Sequence, residues 1–375
     1  MRNIKSLLQQ GLLYACRLFP IKKNKVLFQS YYGDAYNDNP FFISQNLLNN
    51  VDIVWAVTRK IDDIPSNVRQ VCNSSVKYIY ELATSKVWVD NCRKREWVRK
   101  RKGQYYIQTW HGNLGNKKTE GAAIDTLEPE YILRAQNDAK MTDLMISGSS
   151  FFTNLIRKYF WYDGEICECG TPRLDSFFSQ SNTTNETIRR KLNIPTGVRI
   201  ALYAPTFRAD KRLDCYALDY TRIINALENK TGEKWVFLVR FHPNVAFASE
   251  SIAAHLDNVI DVTNYPDLYE LIPISDIIIS DYSSLTFEAG LLLKPVFLFA
   301  LDLSRYEQER GFYIDIHEQP YILAQSNEGL INRISDFDVK AYEEALNQFN
   351  LSLGINEKGN AAEIIAQRIM GILNE

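Results

Sequence analysis

Short apolar runs rich in β-branched and aromatic residues alternate with amphipathic stretches over nearly the whole chain. Parallel strands need long crossovers, and a helix is the crossover that covers the sheet it leaves, so this alternation predicts an α/β protein with parallel sheets. The runs fall at 26–30, 52–57, 87–90, 105–109 and 144–147 in the first half, and at 200–204, 235–241, 259–262, 276–280 and 295–299 in the second. Between the two sets lies the polar stretch 179–197, with Ser181, Asn182, Thr183, Thr184 and Asn185 near its start, which reads as a linker. A chain of 375 residues is long enough for two lobes, each with its own core. The partition is an amphipathic segment 1–24, an N-terminal lobe 25–178, the linker, a C-terminal lobe 198–355, and a final segment 356–375 whose helix is positioned to cross back onto the first lobe.

A formal net charge of −2 gives no support to a nucleic-acid partner. The cations are nevertheless unevenly placed. Arg2, Lys5, Arg17, Lys22, Lys23 and Lys25 occupy the first 25 residues without an acidic partner. Among them Ile4, Leu7, Leu8, Leu12, Ala15, Leu18 and Phe19 recur at helical spacing. Such a helix either lies in the headgroup plane of an anionic membrane surface or packs on its own domain. Its unbroken apolar stretch, 11–16, is too short to span a bilayer, and no signal-peptide cleavage pattern follows. A second basic run, Arg93, Lys94, Arg95, Arg99, Lys100, Arg101 and Lys102 against Glu96 alone, reads as a solvated helix face. The six cysteines, at 16, 72, 92, 167, 169 and 215, form neither a disulfide framework nor a zinc knuckle, which fits a reducing cytosol. Cys167 and Cys169 fall on one face of a strand, without a second pair to complete a metal site.

Four polar clusters stand at the ends of the apolar runs, where open α/β sheets form their ligand crevices. In Thr109-Trp110-His111-Gly112-Asn113 an imidazole follows a buried strand, and a glycine next to it allows close approach. That suits a general base, and it equally suits a structural histidine. Ala204-Pro205-Thr206-Phe207-Arg208 presents a hydroxyl and a guanidinium able to pair with phosphate, or else an ordinary turn with a surface arginine. Arg240-Phe241-His242-Pro243-Asn244 carries another strand-end histidine, with Pro243 ending the ladder. Ser280-Asp281-Tyr282-Ser283-Ser284 opens an amphipathic run that includes Glu288. Capping a helix accounts for one serine; two hydroxyls and an aspartate exceed that need and suit a diphosphate. His255 and His317 lie in polar surroundings and carry no chemistry. The chain has no phosphate-loop, nucleophile-elbow or HExxH motif, so no cofactor, metal or covalent intermediate is called for.

Together these segments resemble the CDP-glycerol:poly(glycerophosphate) glycerophosphotransferase family of teichoic-acid and capsule biosynthesis. The resemblance runs through Gln29 to Gly33, Asp38-Asn39-Pro40, Gln108 to Gly112 and Gly170-Thr171-Pro172-Arg173-Leu174-Asp175. It continues through Tyr203 to Arg208, His242-Pro243-Asn244, Ser280 to Ser284, Lys294-Pro295, Asp302, Tyr306 and Glu309 to Tyr313, in the family's order. One departure stands out. The family usually follows its first His-Gly with Thr-Pro and a Leu-Lys-Lys run, whereas Asn113-Leu114-Gly115-Asn116-Lys117-Lys118 occurs here, which bears on acceptor recognition.

The resemblance implies a GT-B type α/β fold: two Rossmann-like domains, an interdomain active-site cleft and a short N-terminal amphipathic helix. It also implies transfer of glycerol phosphate or ribitol phosphate from CDP-glycerol or CDP-ribitol to a hydroxyl of a polyprenyl-diphosphate-linked or capsular acceptor, with release of CMP at the cytoplasmic face of the membrane. His111 and His242 are then the catalytic histidines. Thr206, Arg208, His242, Asn244, Asp281, Ser283, Ser284 and Glu288 form the donor side, and Trp110, Gly112 and Asn113 the acceptor side. Two rival readings of the same fold are a glycosyltransferase using a UDP- or GDP-sugar and a non-catalytic membrane-associated scaffold.

Overall fold

The computed structural model describes residues 4–47, 50–112, 114–179, 182–208, 213–241, 256–309 and 311–375. They form two units, the first from residues up to 113 with 119–178 and 354–375, the second from 114–118 and 179–353.

The first unit is built on seven strands, β1 (Lys22–Gln29), β2 (Asp52–Val57), β3 (Arg69–Cys72), β4 (Ser85–Asp90), β5 (Tyr105–Gln108), β6 (Leu144–Ile146) and β7 (Glu165–Cys167). All are parallel, in the order β3-β2-β1-β4-β5-β6-β7. Its first four helices are α1 (Ile4–Cys16), α2 (Asp38–Gln45), α3 (Val76–Thr84) and α4 (Pro129–Met141). The apolar run inside β1 has no alternation because both faces are covered. Val26 and Phe28 enter a core shared with Ile365 and Ile369 of the terminal helix Ala361–Asn374, while Leu27 enters one shared with Leu13, Ile79 and Leu82 of α1 and α3. Asp175 caps that terminal helix, accepting from the backbone N–H groups of Ala361 and Ala362. Glu357, just before it, accepts from the Thr171 N–H and hydroxyl.

The second unit repeats the plan with β8 (Arg199–Tyr203), β9 (Trp235–Val239), β10 (Val259–Asp261), β11 (Ile277–Ser280), β12 (Val296–Phe299) and β13 (Ile322–Ala324). These are also parallel, ordered β10-β9-β8-β11-β12-β13. Ala201, Tyr203, Phe237, Val239, Ile277, Ile279, Phe297 and Phe299 share one face and pack on the helices Tyr220–Thr231 and Asn327–Ser335.

The strands absent from the apolar runs of the sequence are β3, β7 and β13, all sheet edges of three or four residues. Because β7 ends at Cys167, Cys169 does not share a strand with Cys167, contrary to expectation. Edge strands bury little and so need no apolar run. Two further expectations are corrected. The stretch 179–197 is not a bare linker, since it contains the helix Asn182–Lys191, which packs on the helix Leu268–Ile274 and buries Ile188. The basic run 93–102 is neither a helix nor evenly solvated. Arg93 and Lys94 are buried, Arg93 between Glu120 (2.8 Å) and Asp138 (3.2 Å), Lys94 against Asp90 (2.7 Å). Lys25, counted with the N-terminal cations, is likewise buried and donates to Glu81 and Thr84.

Removing one partner of a buried ion pair strands the other charge, so Arg93→Ala should cost about 3–5 kcal/mol in urea unfolding. Lys102→Ala, at an exposed position, should cost no more than about 0.5 kcal/mol. Equal effects of the two would contradict the anchoring role of Arg93.

Candidate active site

In each sheet the strand order reverses direction at one point, between β1 and β4 in the first unit and between β8 and β11 in the second. Crossovers leave that point in opposite directions and open a crevice at the carboxyl ends of the strands. The polar clusters at 109–113, 204–208 and 280–284 all leave strands at those ends.

In the first unit, Tyr31 follows β1, Asn91 follows β4, and His111 lies three residues beyond β5. The Tyr31 N–H donates to Asn91 Oδ1 (2.8 Å), which bridges the switch point. His111 Nδ1 lies 2.6 Å from the Asn91 carbonyl oxygen. A carbonyl can only accept, so Nδ1 carries the proton and Nε2 presents its lone pair. The ring stacks on Trp110 (4.6 Å between centroids) and lies near Tyr31 (5.7 Å). Burial pushes the His111 pKa below its ordinary value, and the Asn91 carbonyl and Asp38 offset that only in part. The imidazole is therefore neutral at neutral pH, as a base must be.

The surrounding backbone is strained. Tyr31 (φ 45°), Tyr32 (59°), Asp38 (62°), Trp110 (54°) and Glu120 (52°) all adopt left-handed conformations that cost a non-glycine residue free energy. Three of them, Tyr31, Asp38 and Trp110, are held by one buried network. Arg173 donates from Nη1 to Asp38 Oδ2 (2.9 Å) and to the His111 carbonyl (2.9 Å). Asn39 donates to the Trp110 carbonyl (3.0 Å) and accepts from the Arg173 N–H (3.1 Å). The Tyr31 hydroxyl donates to Asp38. Burial alone pushes the Asp38 carboxyl up, but Arg173, Tyr31 and the Asn39 N–H together hold it below the usual carboxylate range.

In the second unit, the Thr206 N–H donates to Asp281 Oδ1 (2.8 Å), and the Ser280 hydroxyl donates to the Ala204 carbonyl (2.7 Å), joining the ends of β8 and β11. Arg208, read from sequence as a phosphate ligand or a surface arginine, is not at the surface but buried and paired. Its guanidinium donates to both Asp302 oxygens (2.8 and 3.0 Å), to Asp281 (2.9 Å) and to the Thr206 carbonyl (2.6 Å). Tyr282 and Tyr306, stacked at 3.8 Å, lie against it. These bonds tie the loop after β8 to Asp281 and Asp302. The hydroxyls are less committed. Thr206 Oγ1 has no partner among the described residues. Ser284 occupies the N-cap of the helix Leu285–Leu291 without a side-chain capping bond, while Ser283 Oγ accepts from the Leu285 N–H (3.3 Å). Glu288 is buried, within 3.4 Å of the Tyr269 hydroxyl.

Trp110, His111 and Gly112 thus belong to the first unit, and Thr206, Arg208, Asp281, Ser283, Ser284 and Glu288 to the second. Asn113, His242 and Asn244 lie outside the described residues. Sequence reasoning missed Asn91, whose carbonyl sets the tautomer of His111; its only signal was a polar residue following the run 87–90. Asp38, Asn39 and Arg173 appeared in the sequence only as pieces of a resemblance, with no role attached.

The profile of the CDP-glycerol:poly(glycerophosphate) glycerophosphotransferase family matches residues 12–371. A teichoic acid glycerol-phosphate transferase of Staphylococcus aureus is 30% identical over 386 residues, covering 98% of each chain. A teichoic acid poly(glycerol phosphate) polymerase of Staphylococcus epidermidis is 30% identical over 371 residues, covering 93% of this chain, which spans 51% of that protein. Among solved structures, a histidine-to-asparagine variant of the wall teichoic acid polymerase TagF soaked with CDPG superposes with a TM-score of 0.85 at 26% identity, covering 99% of this chain and 96% of the other. The profile spans nearly the whole α/β chain, including both switch-point clusters, and on that ground the chain is a transferase belonging to the CDP-glycerol:poly(glycerophosphate) glycerophosphotransferase family.

Proposed function

We propose that the chain transfers an alditol phosphate, glycerol phosphate or ribitol phosphate, from its CDP-activated form to a hydroxyl of a lipid-linked or capsular saccharide acceptor in teichoic-acid or capsule biosynthesis. The observation that carries this reading is His111, a neutral imidazole with Nδ1 tied to the Asn91 carbonyl and Nε2 left to accept a proton. His111 takes the acceptor's hydroxyl proton, the oxygen attacks the β-phosphorus of the donor, and the bond to the bridging oxygen breaks to release CMP. The leaving group is already a good one, so stabilising the charge that builds on the diphosphate is the larger task. Thr206, Ser283, Ser284, His242 and Asn244 are assigned to it, with Arg208 and Asp281 positioning the loop and Glu288 behind it. On this reading the two parallel-sheet units are the Rossmann-like halves of a GT-B fold, and Trp110, Gly112 and Asn113 line the acceptor side.

The proposal places the protein peripherally on the cytoplasmic face of the membrane. No helix among the described residues is long and apolar enough to cross a bilayer. Instead α1 docks on its own unit through Leu13 and Cys16 and turns Ile4, Leu7, Leu8 and Tyr14 outward, followed by Leu18 (90% exposed) and Phe19. Lys5, Lys22 and Lys23 are exposed around this surface. Apolar burial with attraction to anionic lipid would hold such a face at the headgroups.

His111→Ala should lower the rate of CMP release from CDP-glycerol in the presence of acceptor by about 10²–10⁴-fold. Normal turnover would remove the base. Because the base must be neutral and its pKa is lowered, kcat/KM should stay level as pH falls to the ordinary histidine value of 6.5 and decline only below it. An acid limb centred above that value contradicts the assignment. Leu8→Glu, on the outward face of α1, should abolish sedimentation with anionic liposomes while leaving thermal stability intact; undiminished binding would rule that face out. A thermal-shift panel should single out CDP-alditols over UDP- and GDP-sugars.

A further inference from the structure

The clustering of cations around His111 leaves one of them unused. Arg173 is paired with Asp38, Arg93 with Glu120 and Asp138, and Lys94 with Asp90. Arg134, on α4, is different. It has no ion pair or hydrogen bond among the described residues, and its buried Nε is without a partner. Its guanidinium is sandwiched instead between Tyr32 (5.7 Å) and Tyr131 (5.1 Å). Tyr131 is tied in turn to Glu120 by its hydroxyl.

This arrangement connects directly to the base. Tyr32 directly follows Tyr31, whose ring lies 5.7 Å from that of His111 and whose N–H donates to Asn91 Oδ1 (2.8 Å). Tyr32 is also one of the residues held in the left-handed region (φ 59°) and is 39% exposed, so the clamp opens to solvent. Asn91, wholly buried beside His111, has an Nδ2 with no partner among the described residues. A guanidinium fixed flat by two rings, with its N–H edge uncommitted, is pre-organised for a bidentate grip on a phosphate or phosphodiester.

We infer that Arg134, clamped by Tyr32 and Tyr131, binds the acceptor's phosphodiester, the one next to the hydroxyl that attacks. The inference rests on the proposed transfer reaction and extends it to the acceptor. A chain that grows by alditol phosphates carries a phosphodiester no more than one alditol from its terminal hydroxyl. If that hydroxyl sits at His111, its phosphate lies close to the base, and among the described residues Arg134 differs from Arg93, Lys94 and Arg173 in having no carboxylate paired to it. The site makes the enzyme selective for acceptors that already end in an alditol phosphate over bare saccharides.

The test uses the full chain with CDP-glycerol and two soluble acceptors, a disaccharide ending in glycerol phosphate and the same disaccharide without it. Wild type should prefer the phosphorylated acceptor. Arg134→Ala should raise its KM about tenfold or more with little change in kcat, erasing the preference, and Arg134→Lys should restore part of it as a point charge. An unchanged preference in Arg134→Ala overturns the inference. So does a rise in KM for CDP-glycerol in place of the acceptor effect, or a loss of binding to anionic liposomes in its place, since these would assign the cation to the donor or to lipid headgroups. Calorimetry of the phosphorylated acceptor without donor separates this inference from the reaction beneath it. Binding lost only in Arg134→Ala upholds the site even if no CMP is ever released, and wild type that binds both acceptors equally removes it.

Discussion

The buried ion pair between Asp38 and Arg173 joins three pieces of chain that have no local reason to meet: the turn after β1, the loop after β5, and the segment following β7. The same Arg173 Nη1 that meets Asp38 also holds the His111 carbonyl, and Asn39 closes the ring through Trp110. Both charged partners are buried, so loss of either leaves an uncompensated charge, and the remaining residues around His111 inherit their geometry from this lock. The left-handed backbone at Tyr31, Asp38 and Trp110 is tolerable only because the network over-determines it. Pre-organisation of this kind is the usual source of catalytic advantage when the chemistry needs little more than a base and well-aimed donors.

The terminal helix belongs to the same logic. Asp175 caps it, and Glu357 just before it clamps Thr171, so the Gly170 to Asp175 segment is both the receptor for the C-terminal chain and the carrier of Arg173. Stability of the last helix and alignment of His111 are thereby coupled through six residues. The second unit uses a parallel device, in which Arg208 saturates Asp281 and Asp302 and lies against stacked tyrosines. In both units a buried arginine paired with carboxylates holds a loop in place.

Much of the fold was legible because the central strands are buried on both faces and announce themselves as continuous apolar runs, as Val26 to Phe28 and Ile277 to Ile279 do. The edges β3, β7 and β13 were silent for the opposite reason. Strand-end polar clusters pointed to the crevices, yet side-chain roles within them were not readable. Whether Arg208 faces a ligand or two carboxylates depends on Asp302, almost a hundred residues away. The basic run at 93–102 misled because Arg93 finds its anions at Glu120 and Asp138, which no local spacing reveals. The departure at Asn116 also acquires a local cause: its side chain pairs with the backbone of Ile314, so that segment is fastened to the second unit.

The central claim is phosphoryl transfer to an alcohol rather than to water or from a sugar nucleotide. Phosphorus NMR of wild-type chain with CDP-glycerol and a lipid-linked disaccharide acceptor ending in glycerol phosphate reads it directly. The account predicts a new phosphodiester resonance growing in equal amount with CMP. Growth of phosphomonoesters alone, or a CDP-glycerol signal that persists unchanged in the presence of the acceptor, would contradict it.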